Sequence, residues 1–343
     1  MAKPFLTRKF MYQLPSKVLN RQGQTVELKT AHLGSGGEGS VHAILNNSQY
    51  DNHVAKIYHE RERSDRRARK IDYLIQHRPE LQDSYSVIYP EEPLFDEANN
   101  FIGFIMKRAL GEADLTSLCS LKPSSKLDDS WHNKFDRGTS AGLYNRAMLC
   151  FNIAAAFSQV HRSKHVVFVD IKPENIRITQ DGRVSIIDLD SVQIIDNGAL
   201  LFNAEKLTPE YSPGEAKQLN FKSDLIPENW DRFSLGVIFY KLMFGLHPFT
   251  GTCRDPYHNM VSNEQKIEAG LFPQGIRVQY FDVIPEPHIH FEVLPKLLQR
   301  LFIRCFDGGH YNPELRPSAY EWCQVLRNIS QNEYKPRKAK KVY

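Results

Sequence analysis

Apolar and polar residues alternate through the first part of the chain. The run "KVLNRQGQTVELKTAHL", from Lys17 to Leu33, reads as strand pairing around a turn at Gln22-Gly23; a glycine-rich turn follows, and "HVAKIY" is a second alternating run. Residues from about 60 to 77 have helical spacing and stop before Pro79. A further strand pair ends in "NFIGFIMKR", with Asn99-Asn100 as its turn. These elements predict a small antiparallel sheet with one main helix. Beyond Arg108 the pattern changes. Leu121 to Ser140 is polar and turn-rich and reads as a loop between two helices, while "AGLYNRAMLCFNIAAAFSQVHR" is spaced as a central helix. Two short strands, "IRIT" and "RVSIID", meet at Gln180-Asp181-Gly182, and from Asn229 onward helical periodicity dominates. The apolar run "FSLGVIFYKLMFGL" is interrupted by Lys241 and too short for a bilayer, so it reads as a buried core helix. No internal repeat is visible.

Composition narrows the class. The 343 residues are 41% hydrophobic and 24% charged, ordinary for a soluble globular protein and enough for two modest domains or one large two-lobed unit. A formal net charge of +4 gives no argument for nucleic acid, and aromatic residues do not interleave with the basic ones as a stacking platform requires. The five cysteines, Cys119, Cys150, Cys253, Cys305 and Cys323, are scattered and odd in number, which suits a reducing compartment. The first residues, "MAKPFLTRKFMYQLP", have no apolar leader, and a cytoplasmic location with no membrane or nucleic-acid partner is expected. The basic tail "KPRKAKKVY", residues 335–343, is expected to be a solvated end.

Chemistry concentrates in three places. In "LGSGGEGSVH" the glycines Gly34, Gly36 and Gly39, with Ser35, Gly37 and Glu38 between them, form a turn whose backbone can approach phosphates without an intervening Cβ. Lying between two strands, the turn does not fit the strand-to-helix dinucleotide motif. Lys56 on the next strand can reach α- and β-phosphates, with Val41 and Ala55 covering an adenine face. The third place is "VVFVDIKPEN" followed by "SIIDLD". Asp170 can orient and deprotonate a hydroxyl, Lys172 can neutralise a γ-phosphate, and Asn175 with Asp188 offers hard oxygen ligands for magnesium.

Taken together these motifs resemble the protein kinase superfamily. The resemblance continues in "LTPEYSPGE", in "DRFSLGVIFYKLMFGLHPF" and in "ELRPSA". It implies an α+β, two-lobed protein-kinase-like fold, with a small antiparallel β lobe carrying one main helix (1–107), a larger mainly α-helical lobe (108–334) and a basic tail (335–343). It further implies that Thr208 joins the catalytic loop, that Glu215 and Arg316 form a buried structural pair, and that Asp231 is the buried carboxylate of the core helix. In the hinge "MKRALG", the backbone of Lys107 and Ala109 would face adenine, with Met106 behind it. "GGEG", "IDLDS", "GLHPF" and "RPSAYEW" look like bacterial Ser/Thr kinases of the eukaryotic-like type, a subgroup often encoded beside a metal-dependent protein phosphatase and a von Willebrand A-type protein. The implied reaction transfers the γ-phosphoryl group of ATP, with Mg2+ or Mn2+, to Ser or Thr of protein substrates.

The chain departs from the family pattern in several positions. Phe168 and Val169 stand where His and Arg are usual, so the clamp on a phosphorylated activation loop is missing and activity independent of loop phosphorylation is expected. Asp188-Leu189-Asp190 replaces Asp-Phe-Gly, and Arg177 falls where an apolar adenine floor is usual. The helix after the lysine strand has no Glu in the window expected to pair with Lys56. Asp72 is the candidate, with Asp65 as the other option, and Arg63, Arg66, Arg67 and Lys70 read as a solvated basic stripe. Two rival functions follow from these departures: a pseudokinase that binds nucleotide as a scaffold, and a small-molecule kinase of the aminoglycoside or choline type.

Overall fold

The computed structural model describes residues 14–45, 47–83 and 85–334, and the basic tail at 335–343 lies outside them. The chain divides into two compact units, one holding residues up to Arg78 with Ile88–Arg108, the other Pro79–Val87 and everything from Ala109. The division differs from the sequence reading at 79–87, where contacts run to the second unit. There Ile186 donates its N–H to the Ser86 carbonyl (2.9 Å), and Ser185 Oγ donates to the Tyr85 carbonyl (2.7 Å).

In the first unit, β1 (Leu28–Ser35), β2 (Gly39–Ile44), β3 (His53–Tyr58), β4 (Pro90–Phe95) and β5 (Phe101–Lys107) form an antiparallel sheet in the order β1-β2-β3-β5-β4. Successive side chains of a strand face opposite sides. Ala55 and Ile57 therefore enter a core with Val18, Val26, Tyr50, Leu94, Ile102 and Ile105, while Lys56 and Tyr58 take the other face. Helix α1 (Asp65–Gln76) starts where the Ser64 hydroxyl accepts the Arg67 N–H, and its buried residues are Arg67, Lys70, Ile71 and Leu74. That spacing is one helical stripe, and two of its four members are cations. The solvated stripe expected from the sequence is thus half buried, because this face packs toward the sheet.

The second unit begins with β6 (Ala113–Asp114) and α2 (Thr116–Cys119). The segment expected to be a plain loop contains α3 (Asp129–Lys134), capped by the Asp128 carboxylate and anchored by buried Trp131. Phe135, which closes the helix, is buried against Trp131, and the polar composition around them concealed both anchors. Then come α4 (Ser140–His161), β7 (Val166–Val167), β8 (Ile176–Ile178), β9 (Val184–Ile186), β10 (Gln193–Asp196), β11 (Ala199–Phe202) and α5 (Asn229–Phe244). Strands β6, β8 and β9 make one small sheet, and β7, β10 and β11 another. Helix α5 is buried on nearly every side and ends at Gly245, whose φ of +77° lets its N–H return to the Lys241 carbonyl at 2.8 Å. Trp322 packs on Phe239 and Phe302, with ring centroids 5.1 and 5.0 Å away. A short strand pair, Thr252–Cys253 with Phe281–Val283, interrupts the region where helical periodicity dominates. Among the described residues no helix is long and apolar enough to cross a membrane.

Two buried histidines in this unit serve as neutral donors. His247 donates Nε2–H to the Glu210 carbonyl (2.8 Å), and burial pulls its pKa down to about 3. His288 donates Nε2–H to the Thr250 carbonyl (2.9 Å), and burial lowers it to about 4. Both pKa values are depressed in the folded state. Below the ordinary value of 6.5 the unfolded chain takes up protons that the folded one refuses, so stability falls as pH drops from 6.5 toward 4. Each histidine contributes about 1.4 kcal/mol per pH unit in that window. Urea unfolding at pH 7 and pH 5 should show this acid loss, and His247→Gln, which keeps a donor for Glu210, should reduce it. An unchanged slope would contradict the assignment.

Candidate active site

The glycine turn is held by its own unit. Gly34 pairs with Val41 and Ser35 with Ser40, and Gly36 donates its N–H to the Gly39 carbonyl at 2.9 Å. A Cβ on Gly39 would sit 2.3 Å from the Ile57 carbonyl oxygen, so strand packing alone requires glycine there. At Gly34 and Gly36 a Cβ would meet nothing within 4 Å. The tip is pinned from the chain after β3. His59 donates its N–H to the Glu38 carbonyl (2.7 Å) and Nε2–H to the Gly36 carbonyl (3.0 Å), and Arg61 donates to the Gly37 carbonyl (3.0 Å).

Lys56 lies opposite Val41 in the β2–β3 ladder, and Val54 lies opposite Met106 in the β3–β5 ladder. Alternation therefore puts Val54 on the face of Lys56. Ala55, expected to cover that face, is sealed in the core on the other side. Lys107 ends β5, and Ala109 opens the second unit. Asp72 does not fill the role expected of it, because its half-exposed carboxylate pairs with Arg21. Asp65 is exposed in the first turn of α1. The carboxylate near Lys56 is that of buried Glu38, with Oε2 3.7 Å from Nζ. Arg67 approaches the same carboxylate at 3.6 Å and Glu62 at 3.5 Å, and its guanidinium lies 4.7 Å over the Tyr58 ring. The available signal was an acid inside a glycine turn.

In the second unit the loop expected to be catalytic is built on Asp231, a fully buried carboxylate of α5 that accepts the N–H groups of Phe168 (2.8 Å) and Val169 (2.9 Å). His161 of α4 adds a contact at 3.0 Å. Trp230 Nε1 donates to the Val169 carbonyl (2.9 Å), and Asp170 donates its N–H back to Phe168 (2.7 Å). Val169 consequently sits at φ +66° inside a γ-turn, a conformation costing a β-branched residue about 1–3 kcal/mol. Phe168 is buried edge-on against Phe157, centroids 4.6 Å apart. The outcome of the turn is a triangle. Thr208 Oγ1 donates to Asp170 Oδ1 (2.6 Å), Lys172 Nζ donates to Asp170 Oδ2 (2.5 Å), and Nζ also reaches Thr208 Oγ1 (3.2 Å). Asn175 Nδ2 donates to the Asp170 carbonyl at 3.4 Å. Asp170, Lys172, Asn175, Asp188 and Ser191 line one small cavity. Asp188 is left-handed at φ +73°, with Leu189 and Asp190 buried behind it. Arg177 donates to the Gly111 carbonyl (3.1 Å), and a Cβ on Gly111 would lie 2.8 Å from the Arg177 Cβ, so the arginine stem rests on glycine backbone.

The segment after Asp188 is ordered by features the sequence reading missed. Strand β10 pairs with β7 and turns through Asn197-Gly198 into β11. The buried Gln193 side chain bonds Ile226 twice, donating to its carbonyl (2.8 Å) and accepting its N–H (2.9 Å). Further on, Ser234 Oγ donates to the Tyr211 carbonyl (2.7 Å) and Lys241 Nζ to the Tyr211 hydroxyl (2.6 Å). Arg316, 1% exposed, grips Glu215 through two bonds of 2.6 and 2.8 Å.

Residues 28–326 match the protein kinase domain family. The chain belongs to the protein kinase family. The kinase is 28% identical over 323 residues to protein kinase YegI of Escherichia coli strain K12, covering 92% of this chain and 46% of that protein. It is 29% identical over 189 residues to cGMP-dependent protein kinase, isozyme 2 forms cD5/T2, of Drosophila melanogaster, with 55% of this chain and 19% of that protein covered. With serine/threonine-protein kinase PEPKR2 of Arabidopsis thaliana it shares 28% identity over 130 residues, 38% of this chain and 25% of that protein. The chain spans a little under half the length of the YegI proteins it matches.

Asp231→Ala removes a charge that accepts two backbone bonds, each worth about 1.5–3 kcal/mol, from a strained turn. Urea unfolding should show the kinase losing about 3–5 kcal/mol. A loss within about 1 kcal/mol would mean the turn holds itself.

Proposed function

We propose that this protein kinase transfers the γ-phosphoryl group of ATP to serine or threonine of protein substrates, and that it does so without phosphorylation of its own activation loop. The observation that carries the reading is the contact triangle of Asp170, Lys172 and Thr208. A carboxylate held between an ammonium and a hydroxyl is oriented to take the proton of an incoming alcohol. The acceptor oxygen then bonds to the γ-phosphorus, the bond to the β-phosphate oxygen breaks and ADP leaves, with Lys172 neutralising charge on the transferred γ-phosphoryl group. In the first unit, the open space over Gly34 and Gly36 supports close approach of phosphates, with Lys56 as the cation beside them. Val54 and Met106 face the same side and suit an adenine ring, with the Lys107 backbone as its polar edge; Ala109 is assigned the matching place in the hinge.

Asn175 and Asp188 fit a divalent cation, Mg2+ or Mn2+, because both are hard oxygen donors lining the cavity of Asp170. Asn175 gives its amide nitrogen to the Asp170 carbonyl, which leaves Oδ1 for the metal. Such an ion would supply neutralising charge for the phosphates. Independence from loop phosphorylation is supported by the missing arginine at Val169 and by neutral anchors in its place, the Gln193 bonds and the β7–β10–β11 sheet. The segment from Thr208 to Glu215, fixed on α5 and by Arg316, supports a peptide rather than a small-molecule acceptor, and the scattered thiols support a cytoplasmic setting.

Incubation with γ-labelled ATP and magnesium, with the kinase alone and with a generic basic protein, should place label on Ser or Thr. Asp170→Ala and Asp188→Ala should each lower the rate by at least about a hundredfold. Saturable ATP binding without transfer would instead support a nucleotide-binding scaffold.

A further inference from the structure

The carboxylate beside the strand lysine comes from an unexpected element. Glu38 belongs to the glycine turn, yet only 5% of it is exposed, and it lies between two cations, Lys56 from β3 at 3.7 Å and Arg67 from the first turn of α1 at 3.6 Å. A buried carboxylate is costly unless it is paired, so this placement is specific. Its surroundings favour it. Arg67 is itself 4% exposed and sits at the positive end of α1, where the helix dipole disfavours a cation and an acid must offset the charge. The main chain around Glu38 is fixed independently by the His59 and Arg61 bonds, so its side chain is delivered inward without depending on the ion pair.

Resting on the phosphotransfer reading above, we propose that Glu38 is the positioning residue for Lys56, a role the sequence led us to seek on α1. Glu38 faces Lys56 and Arg67 together, and Arg67 has Glu62 as a second acid, so Glu38 can hold the lysine ammonium in place without being the sole counter-charge of Arg67. It also makes the glycine turn and the lysine one mechanical unit: a shift of the turn shifts the group that aligns the phosphates. In the alternative geometry of a helix acid, the two would move separately.

The test is steady-state phosphorylation of the basic protein by wild type, Glu38→Gln, Glu38→Asp and Glu62→Gln, with thermal unfolding of each. Glu38→Gln should lower kcat tenfold or more while KM for ATP changes less than threefold, and Glu38→Asp should recover part of the loss. Glu62→Gln, which also neutralises a partner of Arg67, should leave kcat within twofold, separating alignment of Lys56 from simple charge balance at Arg67. If Glu38→Gln keeps wild-type kcat, or binds ATP more tightly and turns over faster, Glu38 is not a positioning residue and this inference fails while the phosphotransfer reading stands. If wild type itself transfers nothing, the reading and the inference fail together.

Discussion

The second unit depends on one buried charge. Asp231 is inaccessible to water, and it offsets its burial by accepting backbone amides from Phe168 and Val169 and a contact from His161. Those bonds force Val169 into a positive-φ turn that a β-branched residue would not adopt alone. The turn in turn fixes where the chain leaves toward Asp170, Lys172 and Asn175. The stability of α5, an all-buried helix closed by Gly245, is thereby converted into the geometry of a polar loop. The same helix holds the segment that follows the loop, through Ser234 and Lys241 on Tyr211 and through the backbone of Asn229 on Arg316.

The first unit solves a different electrostatic problem. Its helix turns cations inward, Arg67 and Lys70, where an acid was expected, and the carboxylates that compensate Arg67 come from outside the helix. Glu38 and Glu62 reach Arg67 from the glycine turn and from the segment before the helix, and Tyr58 offers its ring face. Charge is conserved locally while the element that carries each sign has changed. An Arg in place of a shorter side chain suits this, since its planar head can serve two carboxylates and an aromatic ring at once.

Most of this was legible in the sequence wherever the signal was periodic or the motif dense. The alternation in "HVAKIY", the apolar run of α5 and the spacing from Asp170 to Asn175 each demand one local structure. What escaped had physical reasons. Asp72 shares a face with plausible neighbours, but the face that is buried is one step around the helix, and sequence spacing alone does not fix rotation. Ala55 was expected to cover an adenine face together with Val41, but adjacent residues of a strand point apart, and the face of Val41 and Lys56 carries Val54 instead. The β10–β11 hairpin and Gln193 left weak traces, because four-residue strands and a buried amide have no periodic signature. In 121–140, two aromatics in a polar stretch, Trp131 and Phe135, were enough to seat a helix.

On the reading proposed above, the loop of Asp170 and the segment after Asp188 reach their working shape through protein groups alone. The most direct measurement is the time course of peptide phosphorylation by enzyme stripped of all phosphate, followed from the first turnover at several enzyme concentrations. The expected result is a linear start with no lag and the same specific rate at every concentration. A lag that shortens as enzyme concentration rises, or disappears after loop phosphorylation, would contradict it.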